Sequence, residues 1–147
     1  MPIPVIDLFA GPGGLGEGFS SLLTDARERV FKIRLSIEKD PHAHRTLELR
    51  AFFREFPPKK TPDDFYEYLR GKITREELFK RFPKEATSAS NEAWLAELGK
   101  ESNDEVDKRI HSAIGDTQKW VLIGGPPCQA YSLVGRSRII GREGRDE

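Results

Sequence analysis

A single cysteine in 147 residues, Cys128, excludes an internal disulfide framework and a cysteine-cluster zinc site, and suits a reducing compartment. Long apolar runs are missing as well. Nowhere do the roughly 18 consecutive apolar residues of a membrane span occur, and the short apolar run at the start has no basic leader ahead of it. Neither secretion nor membrane insertion is expected, and a cytoplasmic location follows by default. Nor is there an excess of either charge: Lys plus Arg total 24 and Asp plus Glu total 24. No global field recruits a polyanion, so any nucleic-acid contact falls to a local patch. The histidines offer no metal set, because His42 and His44 stand two apart on an expected helix, pointing to different sides as surface residues, and His111 is remote. What remains fits one domain with a modest core, since chains of this size bury only about 70% of the surface they expose when unfolded.

The run from Ile3 to Phe9 is short, rich in β-branched residues and stopped by Gly11-Pro12-Gly13-Gly14, which predicts a buried strand entering a glycine loop. Leu15, Phe19, Leu22 and Leu23 then recur at helical spacing and predict a short helix with Phe19 and Leu23 inward. Val30, Ile33, Leu35 and Ile37 predict a second strand ending at Glu38. Asp40 and Pro41 supply the cap and first turn of a helix reaching about Phe53. Residues 54–114 change character: they are heavily charged, broken by Pro57-Pro58, Pro62 and Pro83, and sprinkled with aromatics. They read as a helical insertion of several short helices, with starts at Thr61-Pro62-Asp64, Thr74 with Glu77, and Ser102 with Glu105. Trp94, Trp120 and the other aromatics are assigned to core and docking rather than to base stacking. Trp120 to Ile123 predict a third buried strand, ending at Gly124-Gly125-Pro126-Pro127-Cys128, and a glycine- and arginine-rich segment follows from Ala130.

Strand, helix, strand, helix and a later strand is the pattern of an α/β sheet with right-handed crossovers, in which ligands sit outside the carboxyl ends of the strands. If the first strand and the Trp120 strand flank the switch point, the glycine loop and the Pro-Pro-Cys loop face one crevice. Gly11, Gly13 and Gly16 match G-x-G-x-x-G, and Glu38 has the spacing of a ribose-binding acid. That fingerprint alone leaves open a ligand-free tight turn and a nicotinamide dinucleotide site. A lone cysteine is more often an inert small hydrophobe than a nucleophile. Two prolines stiffening the approach to Cys128, with open glycine positions before it and Gln129, Tyr131 and Ser132 after it, favour a thiol at the rim of a crevice.

DLFAGPGGLGEGF (Asp7 to Phe19) and GGPPCQAYS (Gly124 to Ser132) closely resemble the first and fourth motifs of DNA (cytosine-5) methyltransferases, and SIEKD (Ser36 to Asp40) resembles the second. The resemblance implies a partial Rossmann-like fold that binds S-adenosylmethionine. Phe9, Ala10, Gly11, Gly13, Gly14 and Leu15 would wrap the cofactor, with Pro126 beside it and Glu38 on its ribose. Gly115-Asp116 stands for the third motif, closer to Cys128 than the family's spacing, and would place Asp116 on the cofactor. Cys128 would be the nucleophile, adding to carbon 6 of a cytosine swung out of the duplex so that carbon 5 can take the methyl group. The thiolate is the reactive form, and Arg136 and Arg138 are placed to favour it. Gln129 and Ser132 would join those arginines on the substrate. Residues 129–147 resemble the mobile catalytic loop, whose Arg142 and Arg145 would also contact phosphates.

The family extends beyond these motifs to a Glu-Asn-Val motif, a target-recognition domain and a returning C-terminal helix, none of which this sequence contains. The expectation is therefore the N-terminal part of a catalytic domain, inactive alone and acting on double-stranded DNA when complete, or on transfer RNA as a variant. The Trp120 strand should lack a neighbour, which predicts self-association or a complementary subunit, as in split methyltransferases. A non-catalytic S-adenosylmethionine-binding module and an NAD-dependent oxidoreductase are the competing readings.

Overall fold

The computed structural model describes residues 1–128, so the expectations for Gln129, Ser132, Arg136 and Arg138 lie outside the described residues. Strand β1 (Ile3–Leu8) leads to helix α1 (Gly14–Ser20), and strand β2 (Phe31–Glu38) leads to helix α2 (Pro41–Arg54). Helices α3 (Asp63–Leu69), α4 (Arg75–Arg81) and α5 (Pro83–Glu92) follow, then strand β3 (Ala93–Leu95), helix α6 (Asn103–Ile114) and strand β4 (Val121–Gly124). The four strands pair in parallel in the order β3-β2-β1-β4. The architecture is thus the expected α/β one, a partial Rossmann-like sheet with a largely helical segment between β2 and β4.

The order places the switch point between β1 and β4. After β1 the chain steps outward through β2 to β3, then returns to the other side of β1, where Val5 pairs with Val121 and Leu8 with Gly124. A bulge between Val5 and Ile6 shifts the β1–β2 register from Ile33 to Leu35. On one face α6 covers Ile6, Leu35 and Ile37 with Val106, Ile110 and Ala113. The other face carries α1 and α2, and Ala10, Leu47 and Ala93 close a small cluster there. A separate core of Ala51, Phe52, Phe65, Leu78 and Ala89 joins α2 to the helices after it. Phe52 sits 4.8 Å from the Phe79 ring and 5.4 Å from Phe56, at the centre of an aromatic pack.

Local signals explain most starts. Asp40 accepts the Ala43 amide at 2.8 Å with Pro41 in the first turn. Thr74 and Glu77 form a reciprocal capping box, and Ser102 accepts the Glu105 amide at 3.2 Å.

Several expectations are corrected. Helix α1 buries Gly16 and Ser20, whereas Leu23 is exposed and Phe19 is only half-buried, edge-on to Phe31. The reason is close approach: a side chain at Gly16 would press on Asp7 and Ile33. Thr61 is not a cap, since α3 starts on Pro62 without a side-chain bond, and Pro83 opens α5 instead of only breaking a helix. The segment from 54 to 114 contains β3, so the Trp120 strand is the fourth strand in chain order. It is also not fully buried: its pattern alternates, with Leu122 54% and Trp120 38% exposed. Among the described residues β4 pairs on one side only. His44 is half-buried, with Nε2 2.8 Å from the Ala93 carbonyl. Among the described residues no helix is long and apolar enough to cross a membrane.

Candidate active site

At the carboxyl end of β1 the chain turns sharply. Phe9 adopts φ 55, a left-handed conformation costly for a side chain, and Gly11 (φ 57) and Gly13 (φ 91) follow in the same region. The Ala10 amide donates to the Ile37 carbonyl at 3.0 Å and the Gly13 amide to the Ala10 carbonyl at 3.1 Å, which folds the loop back onto β2. Gly13 lies against Leu47, whose Cδ1 would stand 2.9 Å from an added Cβ. At the end of β4, an added Cβ at Gly124 would collide with the Leu8 carbonyl oxygen. Its absence lets the two strand ends close up, and the Gly125 amide donates to that oxygen at 3.3 Å.

Between these ends lies a cavity of about 240 Å³ lined by Phe9, Gly11, Glu38, Leu98, Gly125 and Pro127, among others. Glu38 holds it together electrostatically. Its Oε2 accepts the Gly11 amide at 2.6 Å, and its Oε1 accepts the Lys39 and Asp40 amides at 2.9 Å each. A carboxylate offers about four acceptor positions, so one remains for a ligand hydroxyl without opening the loop. Two apolar groups, the 39%-exposed Phe9 and half-buried Leu98, with Pro127 at the rim, give flat surface for an aromatic base. Cys128 follows Pro127 directly and is exposed.

Below the loop, Asp7 is 1% exposed, and both of its carboxylate oxygens lack a hydrogen-bond partner among the described residues. Burial pushes its pKa up to about 6; Arg54 opposes that shift and Glu38 adds to it.

The structure therefore brings Phe9, Gly11, Glu38, Gly125 and Pro127 to one cavity, whereas Pro126 and Cys128 are not among its lining residues. It does not bring Asp116 there. Asp116 follows α6, and in a parallel sheet the return from a helix lies at the amino ends of the strands, opposite the cavity. Gly14 and exposed Leu15 border a different surface, with Phe19, Leu22 and Phe31, and Ala10 is buried under the loop. The missed wall is the turn after β3, where Ala96, Glu97 and Leu98 line the cavity. The short apolar run Ala93 to Ala96 ahead of Gly99 was its only trace in the sequence.

No family model and no solved structure matches the chain. Over 159 aligned positions, 97% of this chain, it is 33% identical to type II methyltransferase M.Bpa9945I of Bacillus paralicheniformis. The chain is similar to part of a type II methyltransferase. It spans 34% of that relative's length. A second relative, M.OihORF3336P of Oceanobacillus iheyensis, carries a provisional type II methyltransferase name; it is 29% identical across 97% of this chain, which spans 22% of it. Both alignments run through the helical segment as well as the two motif blocks, so the methyltransferase relatives share more than the glycine loop and the cysteine motif.

Proposed function

We propose that the chain carries the methyl-donor pocket and the nucleophile of a DNA cytosine-5 methyltransferase whose activity requires further polypeptide. The observation that carries this reading is the shared cavity: the glycine loop and Glu38 form one side, and the residue preceding Cys128 forms the other. The cavity is smaller than the about 300–1,000 Å³ of whole-ligand pockets, so it suits the nucleoside end of S-adenosylmethionine. Glu38 would accept a ribose hydroxyl, Phe9 and Leu98 would hold the base between them, and Glu97 on the missed wall would take the cofactor contact expected of Asp116. When bound, the cofactor supplies an electrophilic methyl group.

Cys128 supplies the other half of the chemistry. Carbon 5 of cytosine is a poor nucleophile, and addition of the thiolate at carbon 6 moves electron density onto it. Loss of the carbon 5 proton afterwards expels the thiolate and regenerates the enzyme. A thiol on an exposed, proline-stiffened turn can meet a flipped base without moving the sheet. Double-stranded DNA is the partner this reading requires; the arginine-rich residues after Cys128 would meet its phosphates.

The test uses the complete protein. Incubation with duplex DNA and S-adenosylmethionine should yield 5-methylcytosine, and Cys128→Ser should abolish it while leaving cofactor affinity unchanged. With 5-fluorocytosine DNA the enzyme should stall as a covalent adduct, because fluorine cannot leave as a proton does. Methylation at an exocyclic amine, or full activity in Cys128→Ser, would refute the assignment.

A further inference from the structure

Among the described residues the largest buried polar side chain outside the cavity is that of Arg54, 6% exposed at the end of α2. Its guanidinium reaches two other elements. One nitrogen donates to Glu17 on α1 at 2.8 Å and another to Glu92, the last residue of α5, at 2.5 Å. Arg29 in turn donates to the Arg54 carbonyl at 2.8 Å. Glu92 is itself buried, and burial pushes its pKa up against the pull of Arg54. Isolated buried ion clusters of this kind contribute little to stability compared with apolar replacements, so the reason for one is better sought in what it specifies.

What it specifies here is the start of β3. Ala93 follows Glu92 without any intervening residue, and β3 is only three residues long, pairing Ser36 with Ala93, Ile37 with Trp94 and Glu38 with Leu95. So few pairings define register weakly, and a slip of one residue would exchange the faces of Trp94 and of everything after it. The Ala96 amide, which donates to the Glu38 carbonyl at 3.0 Å, would lose its partner. The wall formed by Ala96, Glu97 and Leu98 would then leave the cavity. Meanwhile Glu17 lies in the helix that follows the glycine loop. Arg54 is thus bonded to the element behind each of two cavity walls.

We propose that Arg54 is a positioning residue that pins the register of β3 through Glu92 and holds α1 through Glu17, setting the two walls of the cavity at the spacing the methyl donor needs. The part concerning the donor rests on the function proposed above; the register part does not.

The experiment compares wild type with the charge-free variant Glu17→Gln/Arg54→Met/Glu92→Met, in which the buried glutamate is also replaced by an apolar side chain. Three readouts are taken: thermal unfolding, S-adenosylmethionine affinity by calorimetry, and amide hydrogen exchange at Ala96. Neutralising all three groups leaves no orphaned charge, so the melting temperature should hold. Affinity should fall on the order of tenfold, and Ala96 should lose protection while the β1–β2 amides keep theirs. Wild-type affinity together with unchanged Ala96 protection would overturn the proposal. If the triple variant does not fold, Arg54→Lys serves, since one ammonium cannot span both glutamates in the same geometry; unchanged Ala96 protection there has the same meaning. Failure of the wild-type protein to bind S-adenosylmethionine would sink the pocket assignment alone, because Ala96 exchange still decides the register.

Discussion

Replacing Asp7 by asparagine should make the protein more stable at neutral pH, an unusual result for a residue 1% exposed in the middle of a sheet. The carboxyl has its pKa raised from 3.8 to about 6, with burial as the largest cause. In the unfolded chain it ionises at the lower value, so between the two the folded state holds the extra proton. Stability contributed by Asp7 is therefore complete below about pH 4, declines as pH rises through 6, and is gone above it. A shift of about two units corresponds to roughly 3 kcal/mol at pH 8. Asparagine has nearly the same shape and cannot ionise, so it should recover about 2–3 kcal/mol at pH 8, or roughly 5–10 °C in melting temperature for a chain of this size. At pH 4 the gain should vanish. Chemical denaturation of both proteins at pH 4, 6 and 8 measures the difference directly, and other titrating groups cancel in the comparison. If Asp7→Asn is destabilising by the same amount at all three pH values, the carboxylate has a structural hydrogen bond and the reasoning fails.

Gly13→Ala should destabilise by about 1–3 kcal/mol, because the position combines φ 91 with a Leu47 methyl 2.9 Å from the new Cβ; an unchanged unfolding midpoint would contradict the described loop. Phe52→Ala removes the centre of the aromatic pack and should cost about 3–5 kcal/mol, read by urea denaturation. Glu38→Ala frees the Gly11, Lys39 and Asp40 amides and should weaken S-adenosylmethionine binding at least about tenfold, a loss of roughly 1.4 kcal/mol, in calorimetry. The edge of β4 that has no partner strand among the described residues, with Leu122 54% exposed, should make the 147-residue chain associate with rising concentration. Light scattering should show this for wild type and much less for Leu122→Lys.

The parts of the fold that were legible are those where one local signal decides. The glycine stop after Ile3 to Phe9, the Asp40-Pro41 helix start and the Thr74 capping box each act within four residues, and each appears in the structure. Strand β3 was hidden because three residues cannot show a period and no breaker separates them from α5. The inner face of α1 was misread because apolar spacing favours Phe19 and Leu23, whereas the sheet demands a residue with no side chain at Gly16. Of the candidate site residues that line the cavity, Gly11 and Glu38 were marked by motif spacing and Phe9 only by the family resemblance. Asp116 could not be tested that way, since only the path of α6 reveals that it falls at the amino ends of the strands. The burial of Arg54 was invisible for a related reason: nothing in a charged segment marks which arginine will be enclosed by partners 37 and 38 positions away.

The direct joint between α5 and β3 restricts how such a chain can vary in length. Residues added or removed in the turn between α2 and α3, or beyond the cavity wall in the exposed turn of residues 99–102, would be taken up as slack at the surface. One residue added between Glu92 and Ala93 would have nowhere to go except into the strand, turning the indole of Trp94 from the α6 side to the α2 side. Growth in the helices from α3 to α5 is therefore tolerated at their turns but not where α5 passes into β3.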